Sequence, residues 1–151
     1  MAITNQMSRK GLARLAFGSI DWQDASPSTM KAYLVLESMT GTNFRNTYTV
    51  MTTVATFKAT DTDAKAVDPD DPDESVSGKL FLTTSNQSSI TFSTAGSSDT
   101  QTVGGIAIFK SSGTDATSIP FCLNDFTSTL VTNGSDVQVT FNASGVVKFS
   151  M

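Results

Sequence analysis
The chain has 151 residues, a net charge of −4 and a charged share of only 16%, a length that suits one domain with a real hydrophobic core. Sparse charge with abundant Ser, Thr, Asn and Gly suits an all-β protein with polar strand faces and many turns. There is no histidine and a single cysteine, Cys122; the first removes the commonest general base, the Ser-His-Asp and Cys-His arrangements and most zinc sites, and the second excludes an internal disulfide framework.

Thr4 or Asn5 can cap a first helix. Met7, Leu12, Leu15 and Ala16 recur at helical spacing, and Gly18 stands where a helix-ending glycine belongs. Arg9, Lys10 and Arg14 fall on its polar side. Residues 1–18 therefore read as an arm with a short amphipathic helix, which either packs on a sheet edge or reaches a neighbouring subunit. Arg9 and Lys10 are followed by no signal-length apolar core, so no secretory signal is expected, and no apolar run approaches the length needed to span a membrane. The only tryptophan, Trp22, reads as a core or lid anchor in preference to a ligand platform.

Residues 30–36 form the next element. Met30, Ala32, Leu34 and Leu36 share one strand face, and Tyr33 and Val35 the other. Both faces are apolar, so this strand is expected to be central or covered on both sides. Residues 37–46 read as a loop around Gly41. Residues 47–60, rich in Thr, Val, Tyr and Phe with no breaker, read as one long strand or two with a bend at Thr52-Thr53.

Residues 61–77 form an acidic loop. Asp61, Asp63, Asp68, Asp70, Asp71, Asp73 and Glu74 face one base, Lys65, and without them the body of the chain is slightly basic. Pro69 and Pro72 deny the segment helix and strand, and like charges keep it in water. A calcium loop is the alternative, but the alternating spacing such loops use is missing. Lys79 to Thr83 and Ser89 to Ser93 read as strands joined by a hairpin-length loop, the second with Ile90 and Phe92 alternating against Ser and Thr.

The strongest stretch runs over residues 102–123. Two apolar arms, 106–109 and 119–123, flank a polar connection containing Gly113, the pattern of a β-hairpin with a longer loop. Pro120 lies near the start of its arm, where a missing ladder donor costs least. Cys122, inside that arm, reads as an inert buried thiol. Residues 124–129 read as a corner, Asn133-Gly134 as a tight turn, and Val137, Val139 and Phe141 as the inner face of a further strand. Residues 146–149 close the set. The Asn-x-Ser triplets at Asn86, Asn133 and Asn142 read as turn chemistry. Together these elements predict one all-β domain over residues 1–151, an antiparallel β-sandwich of jelly-roll-like type with a short N-terminal helix.

Three blocks carry a family resemblance. Gly18-Ser19-Ile20-Asp21-Trp22 followed by Thr29-Met30-Lys31-Ala32-Tyr33-Leu34-Val35 is the first. Val103 to Lys110 with Ser112-Gly113-Thr114-Asp115-Ala116-Thr117-Ser118 is the second. Val131-Thr132-Asn133-Gly134-Ser135-Asp136 through Asn142, with Val147-Lys148-Phe149, is the third. In this order they resemble a family of small tailed-phage and prophage virion-associated proteins. Ser135 departs from the family pattern at a glycine and Phe141 at a tryptophan, and residues 61–77 look like an insertion.

The resemblance implies a structural protein of the virion, made in the bacterial host cytoplasm. A head decoration or cement subunit stabilising the capsid lattice is the leading expectation, and a tail, neck or head-fibre component used in attachment is the alternative. The absence of repeats and heptads speaks against a fibre. The expected partners are the major capsid protein or another virion protein, and the chain itself in a symmetric homo-oligomer. Arg9, Lys10, Arg14 and Trp22 are the candidate capsid or subunit contacts. No catalytic, cofactor-binding or metal-ligating set is expected, and neither nucleic acid nor membrane is expected as a partner, since no broad basic stripe with interleaved aromatics is present.

Overall fold
Two long antiparallel strands, β6 (Thr102–Lys110) and β7 (Ile119–Val131), pair along most of their length and form the centre of the fold. The computed structural model describes residues 5–16, 29–39, 41–68, 79–82, 89–141 and 147–150. Opposite Ile108 and Phe109 the register slips so that Phe121 is the extra residue between Cys122 and Pro120. This bulge takes up the proline's missing donor.

Around the hairpin the sheet has the order β1-β7-β6-β2-β3, with β1 (Asn5–Met7), β2 (Met30–Leu36) and β3 (Lys65–Ala66). β2 is interior, as its two apolar faces require. Met30, Ala32 and Leu34 enter one core with Ile106, Ile108 and Phe121. Tyr33 and Val35 enter a second core with Ala107, Phe109 and Leu123. The first core is closed by Ile90 and Phe92 of β5 (Ser89–Phe92) and Val137 of β8 (Val137–Thr140), which pair antiparallel in a separate two-stranded sheet. β4 (Lys79–Leu82) and β9 (Val147–Ser150) form another such pair. The result is an antiparallel, sandwich-like all-β fold.

Several expectations are corrected. β4 and β5 do not form a hairpin with each other; each pairs with a strand from the end of the chain. Residues 37–46 and 47–60 are not a loop followed by a strand. They carry two short helices, α2 (Gly41–Asn46) and α3 (Met51–Ala55), and these close the second core. Phe44, Tyr48, Met51 and Val54 recur at three- and four-residue spacing and are all buried there. That burial overrides the β-propensity of the intervening threonines. Val50 offers no side-chain cap to α3. Instead the Met51 N–H donates to the Ser118 carbonyl at 3.2 Å, so the hairpin loop satisfies one of the helix's orphan donors. After α3 the chain runs along β2: Leu36 N–H donates to Phe57 O and Ala59 N–H to Leu34 O.

The acidic segment also differs in its first part. Lys65 and Ala66 pair with Ala32 and Lys31, and Val67 is fully buried in the first core. Asp61 has φ 59° and its carboxylate accepts from Ser98 N–H at 2.7 Å and Ser98 Oγ at 2.6 Å. Those bonds, the side-chain one foremost, hold its pKa below the usual carboxylate value. The rest of the loop, residues 69–77, lies outside the described residues. The corner over residues 124–129 lies within β7 as an irregularity: Gly105 faces Asp125 while Val103 faces Leu130, leaving extra residues on β7 between them.

The expected N-terminal helix is present as α1 (Arg9–Ala16), but Asn5 does not cap it, and Thr4 lies outside the described residues. Asn5 pairs with Asn124 in β1, and Ser8 is the cap: its Oγ accepts from Gly11 N–H at 2.8 Å and donates to the Pro120 carbonyl. One buried hydroxyl thus starts the helix and ties it to β7. Ser8→Ala is expected to cost about 1 kcal/mol or somewhat more, since it also leaves a β7 carbonyl unpaired. Thermal melts followed by circular dichroism would measure it.

A woven polar end explains the abundance of Ser, Thr and Asn. Gln101 Oε1 accepts from Thr60 N–H at 2.7 Å, Thr132 Oγ1 accepts from Gln101 N–H at 2.9 Å, and Asp136 Oδ1 accepts from Thr94 N–H at 3.1 Å. Asn133 Oδ1 accepts from Ser135 N–H, and Gly134 has φ 85°, so this triplet is a turn, as read from the sequence.

Candidate interaction surface
α1 places its charges unusually. Its first turn holds no acid and begins with Arg9 and Lys10, at the end of the helix where the backbone dipole disfavours cations. Arg9 is exposed and Lys10 half-buried. Among the described residues neither has an ion-pair partner. The helix beneath them is firmly seated. A Cβ on Gly11 would stand 2.8 Å from the Pro120 carbonyl oxygen and 2.9 Å from Phe121 Cα, so only glycine allows α1 this close to β7. Of the other sequence-derived candidates, Arg14 lies in α1 with its side chain outside the described residues, and Trp22 lies outside them altogether.

The opposite end of β7 carries a feature that no sequence pattern announced. Gly104 is the extra residue where Val35 faces Gly105 and Leu36 faces Val103. Together with the irregularity in β7 this opens a groove of about 270 Å³. Its walls include Val35, Leu36, Met39 and Phe126, and Glu37 and Asp125 line it as well. Glu37 is exposed and Asp125 half-buried. Burial pushes the Asp125 carboxyl above its ordinary pKa, and no ion pair joins either acid to a cation among the described residues. Leu130 and Val131, just beyond, are 43% and 59% exposed.

The 111–118 loop is tied down by hydrogen bonds. Ser118 Oγ donates to Thr114 O at 2.6 Å and accepts from Ser112 N–H at 3.1 Å, and Gly113 takes φ 95°. Tyr33 Oη donates to Asp115 Oδ1 at 2.8 Å, its ring lies 4.7 Å from that of Phe109, and Lys58 Nζ sits 5.5 Å from the Tyr33 centroid. Asp115, the acid of the Gly-Thr-Asp block, is therefore a strut that ties the loop to β2.

Burial first, then the Asp115 hydrogen bond and charge, raise the Tyr33 pKa well above that of a free phenol. Burial does the same to the Cys122 thiol, which is inert in the core. In both cases the unfolded chain ionises first as pH rises. The stabilisation is thus complete at neutral pH and declines above about pH 8.5 for the thiol and about pH 10 for the phenol. Tyr33→Phe is expected to cost about 1 kcal/mol at neutral pH and to flatten the upper part of that alkaline decline; urea melts from pH 7 to 11 would show both.

Among the described residues no group of His, Cys, Asp and Glu could hold a metal, and no helix is long and apolar enough to cross a membrane. No protein-family model, curated protein or solved structure matches the chain. The architecture establishes an all-β, sandwich-like protein, and the surface features define its candidate contacts.

Proposed function
We propose that this protein is a structural subunit of a tailed-phage particle, and most nearly a head decoration or cement protein that binds the capsid lattice. The resemblance of three ordered sequence blocks supplies the virion reading. The observation that carries the contact is the pair of cations, Arg9 and Lys10, at the start of a helix seated on the central hairpin. A cement subunit needs a rigid body with an adhesive part. Here two cores and a hydrogen-bonded polar end supply the first, and the exposed cationic start of α1 is the adhesive part, held on the body rather than projecting from it. The reading assigns no catalytic role, no cofactor and no nucleic-acid or membrane partner; its partners are the coat protein and further copies of itself.

The test is the copy number in purified particles. Quantitative mass spectrometry is expected to find the protein in a fixed ratio to the coat protein, at many copies per particle. A few copies per particle would favour the tail or neck, and absence from purified particles would refute the virion reading.

A further inference from the structure
We infer that two copies of this chain join as a symmetric dimer in which Arg9 and Lys10, at the start of each basic helix, reach the acid-lined groove of the other. This deepens the self-association part of the proposal above, and it stands or falls separately from the virion assignment.

The two surfaces are complementary in charge. The groove offers Glu37 and Asp125, neither with a cation among the described residues, between apolar walls that include Leu36 and Phe126. Apolar walls with carboxylates suit an Arg or Lys side chain, whose alkyl stem packs while its head reaches the acid. The helix offers Arg9 and Lys10, likewise without ion-pair partners among the described residues and disfavoured where they stand.

Among the described residues, one copy does not satisfy itself. α1 rests on β7 at Pro120 and Phe121, whereas the groove opens at Asp125 and Phe126. Strand rise separates Pro120 from Phe126 by about 20 Å. A two-fold axis running outside the molecular surface, perpendicular to β7 and level with its middle, brings the start of each helix to the other copy's groove. That is the isologous arrangement commonest in homodimers. It also brings a second surface towards Leu130 and Val131, the exposed large hydrophobics among the described residues.

The experiment is a charge swap read by sedimentation equilibrium in low salt. The wild-type chain is expected to dimerise and to dissociate as salt is added. R9E/K10E and E37K/D125K are each expected to weaken self-association by about tenfold or more. An equimolar mixture of the two variants is expected to dimerise again, because the acidic helix then meets a basic groove and the basic helix an acidic one. Circular dichroism confirms that each variant is folded, and R9Q/K10Q replaces the first should it fail that check. A wild-type chain that is monomeric at every attainable concentration overturns the inference. So do variants that dimerise as the wild type does, or a mixture of folded R9E/K10E and E37K/D125K that stays monomeric. None of these results bears on whether the protein is found on particles.

Discussion

Phe44→Ala is expected to be the most damaging single truncation in the helical layer, costing about 3–5 kcal/mol. Phe44 is fully buried between α2 and the sheet, in the core that contains Tyr33, Val35, Met51 and Phe109. Its loss removes the transfer free energy of a whole aromatic ring. It also leaves a cavity that the neighbouring backbone cannot close, because β2 is paired on both sides. Domains of this size are stable by about 5–15 kcal/mol, so the variant would retain little margin. The exposed neighbour Arg45 is the control: Arg45→Ala is expected to stay within about 0.5 kcal/mol. Urea denaturation of both measures the contrast. Equal, small effects would mean that residues 41–55 do not close the second core.

Gly96→Ala is the second large effect, expected at about 2–5 kcal/mol. Two costs act together. Gly96 has φ 68°, which charges an L-residue about 1–2 kcal/mol. A Cβ there would lie 2.1 Å from Thr132 Oγ1 and 2.8 Å from the Asp99 carbonyl oxygen, and such overpacking adds about 1–3 kcal/mol. Thr132 cannot simply turn away, because its hydroxyl is bonded to Gln101 on both N–H and C=O. Gly113→Ala separates the two terms. Gly113 has φ 95° but nothing within 4 Å of its would-be Cβ, so only the conformational cost applies. Thermal melts should rank Gly96→Ala well below Gly113→Ala. The reverse order would mean that the woven polar end is not packed as described.

The parts of the fold legible in the sequence were those whose signal is local. The β6–β7 hairpin announces itself in two apolar arms around Gly113, and β2 in apolar residues on both faces. β5 shows in the alternation of Ile90 and Phe92, and the turn at Asn133-Gly134 in the cheap positive φ of glycine. What was missed depended on distant partners. Nothing local says that β5 pairs with β8 and β4 with β9, since each pairing closes a long loop. α2 and α3 were hidden by Thr-rich composition, although Phe44, Tyr48 and Met51 already showed helical spacing. Ser8 displaced Asn5 as the cap because residues 5–7 were drawn into the sheet by β7. Val67 carries no local signal of burial: its acidic neighbours dominate the segment, while its own burial depends on β2.

The candidate surface divides in the same way. Arg9 and Lys10 were evident from charge and periodicity alone. The groove was not, because it exists only where irregular registers on two strand pairings meet beside Gly104. Glu37 and Asp125 lie far apart in sequence and carry no motif, so only their shared position beside the groove singles them out.

The central claim is a structural place on a phage particle, and a cryo-EM reconstruction of the assembled particle tests it most directly. The expected result is ordered density for this fold at symmetric positions over the capsid lattice, with the N-terminal helix turned toward a coat protein or a second copy. Particles whose capsid and tail densities are fully accounted for by other chains, with no site occupied by this one, would contradict it.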